Sequence, residues 1–327
     1  PDKTINGIKF FLDKNGHNKD FVLNIFGKEN VIRDKLEKFK IKSDSINIIH
    51  SDKIVSNEES PLSAVKNSKN SSMWDCINHQ LEKKSDISLS AGNTSVLLIL
   101  SKMILKMMDN LSKPALAGLW PNQNGMNVVL DLGANIECSE KNLTDFAIMG
   151  SAIYKSLYPN LQAKVALLNI GSEEMKGNEV IKNTYQKLNQ IINEDFEFKG
   201  FIEGNHLMDG DVNVIVADGF TGNIALKTAE GTAKMIQSYL KLGFESSLIS
   251  KMGYVLASLA LRSVNERLDP RIHNCGILAG LNSPVVKCHG SSEYMGISYA
   301  ADIIYSLVKN KLNDRIKEYI SHTMKNI

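Results

Sequence analysis

The sequence lacks closely spaced cysteines, a strong net charge and a long apolar run, and each absence excludes a class of protein. Its four cysteines, at positions 76, 138, 275 and 288, form no Cys-x-x-Cys pair, which argues against a disulfide framework and against a zinc site. The 38 basic and 36 acidic residues nearly cancel, so no overall positive field favours nucleic acid as a partner. The longest apolar stretch, residues 96–108, is too short to span a bilayer. We therefore expect a cytosolic protein.

Short β-rich apolar runs alternate with segments of helical spacing along most of the 327 residues. This alternation is typical of βα units around a parallel sheet that is covered on both faces. Two runs at 115–120 and 128–132 are too close for an intervening helix, so they predict an antiparallel excursion. We predict one α/β domain over 1–327, with a mostly parallel Rossmann-like sheet flanked by helices and a helical excursion at about 225–275. The predicted strands are 21–26, 46–49, 87–90, 115–120, 128–132, 165–170, 196–202, 212–217 and 285–288.

Five of the predicted strands are followed by a glycine-containing turn that could hold an anion. One such turn alone would more simply be a connection, but the carboxyl ends of parallel strands share one edge, so five turns predict a single crevice. Glycine lets the backbone approach a ligand, and each following helix offers free N–H groups. No Walker or Gly-x-Gly-x-x-Gly sequence is present, so we expect a small anion and no cofactor. The predicted phosphate- or substrate-binding residues are Ser90, Gly92, Asn93, Thr94, Gly133, Asn135, Gly171, Asp218, Gly219, Thr221, Gly222, Gly290, Ser291 and Ser292.

At these turns the sequence resembles the PlsX family of phosphate acyltransferases, which makes acyl phosphate from acyl-acyl carrier protein and inorganic phosphate in bacterial phospholipid synthesis. The matching motifs follow the family order through nearly the whole chain. They include Lys69-Asn70-Ser71-Ser72-Met73, Ser90-Ala91-Gly92-Asn93-Thr94, Asp131-Leu132-Gly133-Ala134-Asn135, Lys176-Gly177-Asn178-Glu179, Asp218-Gly219-Phe220-Thr221-Gly222-Asn223 and Lys287-Cys288-His289-Gly290-Ser291-Ser292.

The resemblance implies a fold similar to phosphotransacetylase and isocitrate dehydrogenase, a homodimer, and attachment to the inner face of the cell membrane. The implied substrates are long-chain acyl-acyl carrier protein and inorganic phosphate. The acyl phosphate formed would serve phosphatidic acid synthesis, with a downstream glycerol-3-phosphate acyltransferase as a further partner. The family's first strand ends in a Met-Gly-Gly-Asp turn shortly before a proline, so that strand is expected to precede Pro1.

The sequence departs from the family pattern at two single residues and in one three-residue stretch. Lys113 stands where arginine is usual, and Asn67 replaces a basic residue. His273, Asn274 and Cys275 replace a Tyr-Gly-Gly stretch, which puts the backbone conformation of that loop in doubt because a residue with a Cβ cannot adopt every conformation open to glycine.

Lys176, Asn223 and His289 are predicted to take part in the chemistry. Attack of a phosphate oxygen on a thioester needs donors for the developing oxyanion and cations for the phosphate, but no covalent protein nucleophile. Lys176 precedes one predicted helix and Asn223 opens the next, so both could face the crevice. Each residue also has a plainer interpretation: Lys176 as a solvated lysine, Asn223 as a helix N-cap and His289 as a structural histidine.

Two aspartates and one cysteine in these motifs have structural interpretations. Asp131 and Asp218 precede glycine turns, where they could orient loops or bind a metal. We favour loop orientation and expect no metal, because no cluster of His and Asp has the spacing of metal ligands. Cys288 adjoins His289, but neighbouring residues of a strand point to opposite faces, so we expect Cys288 in the core.

Two surfaces are candidates for docking. Residues 244–261 are amphipathic, which suits acidic lipid or, more commonly, a partner subunit. The resemblance implies both, with a hydrophobic hairpin tip at the membrane. Acyl carrier protein is acidic, so a basic patch is expected, although a solvated charged face is the plainer interpretation of each lysine taken singly. The candidate lysines are Lys66, Lys69, Lys102 and Lys106.

Two other functions remain open from the sequence. One is a phosphotransacetylase-like enzyme that uses short acyl-coenzyme A. The other is a non-catalytic scaffold that binds the carrier protein, which the altered loop at 273–275 makes conceivable.

Overall fold

A computed structural model gives the fold of residues 1–16, 20–55, 61–191, 194–268, 275–288 and 293–325, apart from the side chains of residues 62, 260, 262–268, 324 and 325. Within these residues the helices are α1 (Asp2–Asn15), α2 (Glu29–Lys38), α3 (Pro61–Asn67), α4 (Ser72–Leu81), α5 (Thr94–Leu105), α6 (Glu140–Leu157), α7 (Glu179–Gln190), α8 (Gly219–Glu245), α9 (Leu248–Leu268), α10 (Tyr294–Lys309) and α11 (Leu312–Lys325). The strands are β1 (Leu23–Gly27), β2 (Ile46–His50), β3 (Ser88–Ser90), β4 (Ala115–Asn122), β5 (Gly125–Leu130), β6 (Ala163–Asn169), β7 (Phe196–Glu203), β8 (Val214–Val216), β9 (Cys275–Ala279) and β10 (Val285–Cys288).

The strands form a large and a small sheet. In the described part of the chain, eight strands follow the order β3-β10-β9-β4-β5-β8-β6-β7, and β1 pairs with β2 alone. Five of the eight strand pairings are parallel, while the pairings β10–β9, β9–β4 and β4–β5 are antiparallel. The predicted α/β fold with a mostly parallel sheet is confirmed, and the predicted antiparallel excursion is the β4–β5 hairpin.

The strand directions correct one step of the sequence argument. Three antiparallel pairings separate β10 from β5, so β3 and β10 run opposite to β5, β6 and β8. The carboxyl ends of β3 and β10 therefore lie at one edge of the sheet, and those of β5, β6 and β8 lie at the other. The prediction that all five glycine turns share one edge is wrong, because strand β9 and the β4–β5 hairpin together introduce an odd number of reversals.

The core lies on both faces of the large sheet. One cluster joins α6, α10 and α11 to the sheet, and a second joins α3, α4 and α5 to the opposite face of β10. Helix α6 reaches the sheet closely at Gly150, where an added Cβ would stand 2.6 Å from Cγ1 of Val214. The first helix, α1, packs on α10: the rings of Phe10 and Tyr294 are 4.7 Å apart, and Gly7 allows α1 to approach α10 closely.

The predicted helical excursion is a hairpin of two long helices, α8 and α9. The helices contact each other through Phe244 and Tyr254, whose rings are 5.2 Å apart. Much of the apolar surface of the pair is exposed, however, which is unusual for helices of this length. Among the helices of the described residues, none combines the length and the apolar character that crossing a membrane requires. The most exposed apolar side chains of the hairpin are Tyr239, Leu242, Leu248, Ile249, Met252, Val255, Leu256 and Leu259.

Candidate active site

The turns after β5 and β8 are in direct contact at one edge of the sheet. The backbone N–H of Gly219 donates to the carbonyl oxygen of Asn135 at 2.8 Å. A Cβ added at Gly222 would stand only 2.1 Å from the carbonyl oxygen of Asp131, and one added at Gly133 would stand 3.6 Å from Cβ of Asn223. Glycine at 222 is therefore needed because two backbone segments approach closely. Seven of the predicted site residues meet here: Gly133, Asn135, Asp218, Gly219, Thr221, Gly222 and Asn223.

Asp131 is fully buried and organises the turn after β5. Its carboxylate accepts four hydrogen bonds: from the backbone N–H groups of Leu116, Ala134 and Asn135 at 2.9, 3.1 and 2.7 Å, and from Nδ2 of Asn135 at 2.9 Å. Burial raises the pKa of Asp131, and the hydrogen bonds act in the opposite direction. Through these hydrogen bonds Asp131 orients the loop, as the sequence predicted. They also occupy two backbone N–H groups that an anion in this turn would otherwise use.

The amide nitrogen of Asn135 is directed at other protein atoms and not at a ligand. Nδ2 donates to the carbonyl oxygen of Pro114 at 2.7 Å as well as to Asp131. Lys113 holds the following segment in place, since its Nζ donates to the carbonyl oxygen of Glu137 at 2.7 Å. The loop 131–137 is therefore preorganised by contacts from the start of β4.

Asp218 is the N-cap of α8. Its carboxylate accepts from the backbone N–H of Thr221 at 2.8 Å and from Oγ1 of the same residue at 2.9 Å. The helix therefore begins at Gly219, and the prediction that Asn223 opens it, or caps it, is wrong. Aspartate is at least as strong an N-cap as asparagine, and it stands first. Asn223 lies in the second turn of α8, where its side chain is exposed and faces Gly133.

Lys176 lies over the turn after β6, the neighbour of β8 in the sheet. A Cβ added at Gly171 would stand 2.9 Å from Cγ of Lys176, so glycine makes room for the lysine stem. The backbone on either side is tied down: the N–H of Lys176 donates to Glu173 at 3.0 Å, and its carbonyl oxygen accepts from Asn169 at 3.2 Å. The ammonium group is exposed, as a group that meets an anion from solution should be.

A cavity of about 430 Å³ lies between the amino ends of α7 and α8 and the segment 136–138. Glu137 and Asp218 give it acidic groups, while Ile136 and Phe220 give it apolar ones. Cys138 lines it too, and burial raises the pKa of that thiol to about 11, so it is protonated at neutral pH. The cavity itself is therefore poorly suited to an anion. The position where phosphate binds is better sought beside Lys176.

The turn after β3 is also preorganised, at the other edge of the sheet. Oγ of Ser90 accepts from the N–H of Gly92 at 3.2 Å, and the side chain of Asn93 caps α5 by accepting from the N–H of Val96 at 3.1 Å. Thr94 is exposed at the first position of α5.

Four predicted site residues, His289, Gly290, Ser291 and Ser292, lie outside the described residues, as do residues 273 and 274 of the altered loop. Cys288 is buried in the core, as predicted. Within the described ranges, no group of His, Cys, Asp and Glu side chains could hold a metal ion.

Lys287 is buried in β10, the last strand in the sequence, and no role was predicted for it. A signal for it was present, because a lysine inside the apolar run of β10 breaks the pattern of a strand covered on both faces.

The chain matches a protein family described as fatty acid synthesis protein over residues 1–315. A phosphate acyltransferase of Pelagibacter ubique is 53% identical over 320 residues, which are 98% of this chain and 95% of that relative. A phosphate acyltransferase of Azorhizobium caulinodans is 40% identical over 297 residues, which are 90% of this chain and 84% of the relative.

Two solved structures share the fold. The EutD phosphotransacetylase from Staphylococcus aureus has a TM-score of 0.60 at 15% identity, with 95% of this chain and 92% of that chain covered. A phosphotransacetylase from Streptococcus pyogenes has a TM-score of 0.58 at 16% identity, with 92% and 91% covered. The expected likeness to the phosphotransacetylase fold is confirmed, and so is the resemblance seen in the sequence motifs. The chain belongs to the fatty acid synthesis protein family and, with it, to the phosphate acyltransferases of fatty acid and phospholipid synthesis.

Proposed function

We propose that the protein transfers a long-chain acyl group from acyl-acyl carrier protein to inorganic phosphate, and that the acyl phosphate formed serves phosphatidic acid synthesis. The observation that best supports this is the placement of Lys176 and Asn223. Both side chains are exposed, and both lie at the same edge of the sheet. Lys176 lies over Gly171 in the turn after β6, and Asn223 lies beside Gly133 in the turn after β5. A cation and an amide donor on rigid supports suit an anionic nucleophile and a developing oxyanion.

The reaction needs few groups from the protein. A phosphate oxygen attacks the carbonyl carbon of the thioester, a tetrahedral oxyanion forms, and the carbon–sulfur bond breaks to release the carrier's thiolate. The thiol of the carrier has a reference pKa of about 8.5, so it leaves without a strong general acid. In this proposal Lys176 offsets the charge of the phosphate, and the Asn223 amide donates to the oxyanion. His289 is a further candidate donor.

The donor is tested by comparing two thioesters in the presence of phosphate. We expect phosphate-dependent release of thiol from palmitoyl-acyl carrier protein, with a kcat/KM far above that for acetyl-coenzyme A. A preference for acetyl-coenzyme A would identify a phosphotransacetylase instead. Binding of the carrier protein without turnover of either thioester would identify a scaffold.

The carrier protein is expected to dock on α3 and α5. Lys66 lies on α3, and Lys102 and Lys106 lie on and after α5, which packs beside it. With Lys69, all four lysines are exposed and form none of the ion pairs found among the described residues. Such a patch would steer an acidic partner, and its effect would weaken with salt.

We further propose that the α8–α9 hairpin forms a homodimer interface along its length and binds the membrane surface at its tip. At the tip, Leu248 and Ile249 are 79% and 83% exposed. Exposed apolar area of this extent marks an interaction surface. Amphipathic helices bind anionic lipid through buried apolar area together with attraction to basic groups, and Lys251 supplies one such group beside the tip.

The variant Leu248→Asp/Leu256→Asp tests the hairpin. We expect it to lose flotation with anionic vesicles, because two carboxylates would have to leave water. The control is Leu81→Asp/Leu161→Asp, since both leucines are about half exposed and lie away from the hairpin. Equal flotation of the two variants would refute the lipid contact. The mass of each variant by light scattering tests the dimer separately.

A further inference from the structure

Cys275 and Cys288 lie directly opposite each other on two neighbouring strands. Cys275 is the first residue of β9 and Cys288 is the last residue of β10, and the antiparallel register pairs the two. The other cysteines lie elsewhere: Cys76 is on α4, and Cys138 lines the cavity beside α8. Strand pairing therefore brings together two thiols that no short sequence motif connects.

The separation of Cys275 and Cys288 suits a disulfide. Directly opposite residues of antiparallel strands point to the same face of the sheet, and their Cα atoms are about 4.5 or 5.5 Å apart, depending on the hydrogen-bond pattern. Disulfides bridge Cα separations of about 4.4–6.8 Å. Both cysteines belong to the core cluster that joins the sheet to α6 and α10. The backbone therefore already holds the two residues at a separation that a disulfide can span.

Both thiols are protected while the two strands stay paired. Cys275 is 4% exposed and Cys288 is 0% exposed. Burial raises the pKa of each thiol, and the thiolate is the reactive form. A reagent from solution therefore reaches them only when the ends of β9 and β10 separate. The two cysteines are the last pair of this ladder, so the opening is local and costs less free energy than global unfolding.

We infer that Cys275 and Cys288 form a reversible cross-strand disulfide when the protein meets a low-molecular-weight disulfide such as oxidised glutathione. The thiolate of one cysteine attacks a sulfur of the reagent, whose S–S bond breaks and releases the first reagent thiol. The thiolate of the other cysteine then attacks the protein sulfur of this mixed disulfide and releases the second reagent thiol. The protein loses two protons and two electrons, and the reagent is reduced to two thiols.

The bond joins the end of β10 to the start of β9. His289, a candidate donor of the reaction, follows Cys288 directly in the sequence, and the altered stretch at 273–275 ends at Cys275. A covalent link at this position prevents the two strand ends from separating. Disulfides are rare in reducing compartments, so there the pair remains as thiols and the bond forms only under oxidising conditions.

The test incubates the folded protein with oxidised glutathione, alkylates the remaining thiols after denaturation, and maps the peptides without reduction. We expect the free thiols to fall from the four of the sequence to two, with one cross-linked peptide pair that contains Cys275 and Cys288. Dithiothreitol should restore all four. Cys275→Ala and Cys288→Ala should form no cross-link, whereas the control Cys138→Ala should form it to the same extent as wild type.

Thermal unfolding shows whether the bond fits the native fold. The oxidised protein should unfold at a Tm about 5 °C above that of the reduced protein, because the bond restricts the unfolded chain. A lower Tm after oxidation would overturn the inference, since the bond would then distort the ladder.

The wild-type protein decides the question even if an alanine variant does not fold. Four free thiols after prolonged incubation would overturn the inference, and so would a cross-link that includes Cys76 or Cys138. Stable glutathione adducts on Cys275 or Cys288 without a cross-link would overturn it as well, because the second sulfur would then be out of reach of the first.

Discussion

Lys176→Ala should reduce phosphate-dependent release of thiol from palmitoyl-acyl carrier protein by about a hundred-fold or more, the effect typical of losing one preorganised group that stabilises transition-state charge. The lysine stem lies over Gly171, on a backbone tied to Glu173 and Asn169, so the base of the side chain is positioned before phosphate arrives. The measurement is kcat/KM with phosphate varied at saturating carrier protein.

Lys182→Ala is the matched control for Lys176→Ala. It removes the same charge from the next helix, α7, and should change kcat/KM less than three-fold. Asn223→Ala should lose activity in the manner of Lys176→Ala, because Asn223 faces the neighbouring turn. Equal activity of Lys176→Ala and Lys182→Ala in stable proteins would move the chemistry away from this edge of the sheet.

Gly222→Ala should lower the free energy of unfolding by about 3 kcal/mol, the upper range for overpacking a well-filled interior. The added Cβ would stand 2.1 Å from the carbonyl oxygen of Asp131 and 3.1 Å from its carbonyl carbon. Both atoms are backbone, and the Asp131 side chain is fixed by four hydrogen bonds, so neither segment moves easily. We also expect activity to fall, because α8 must shift and displace Asn223. Urea unfolding measures the first effect.

The control for Gly222→Ala lies in the same helix. Gly231 has no atom within 4 Å of an added Cβ, and α8 is regular there. Gly231→Ala should therefore stabilise the protein by about 0.5–1 kcal/mol, the difference in helix propensity. If the two variants unfolded alike, the close contact between α8 and the turn after β5 would be refuted.

The sequence was sufficient for most elements but not for their directions. Local apolar runs identify β5, β6 and β8 because each is buried on both faces, and the short link in the β4–β5 hairpin predicts reversal. Strand β9 is a short apolar run between β10 and a long helix, and nothing local distinguishes it from a loop. Its antiparallel pairing with β4 and β10 depends on residues far apart in the chain. The edge to which each turn belongs follows only from that pairing.

The contacts within the candidate site could also be predicted only in part from the sequence. That Asp131 orients its turn could be predicted, since aspartate before a glycine commonly accepts local N–H groups. The contacts of its partner, Asn135, with Pro114 and of Lys113 with Glu137 could not, because they join segments that are remote in sequence. Asn223 was misplaced for a different reason: two good N-cap residues lie five positions apart, and the choice between them depends on where the strand ends.

The packing of α1 on α10 has a consequence for the order in which the protein assembles. Lys14 on α1 pairs with Asp302 on α10 at 2.8 Å, and Phe10 contacts Tyr294, so the two helices close a loop of nearly 290 residues. Strands β4 to β8 follow one another in the sequence and can pair while the ribosome is still translating. The half of the molecule that contains β3 cannot be completed until β10 and α10 emerge. Early in synthesis, α1 is therefore an amphipathic helix without its partner, and it is the segment we expect chaperones to bind on nascent chains.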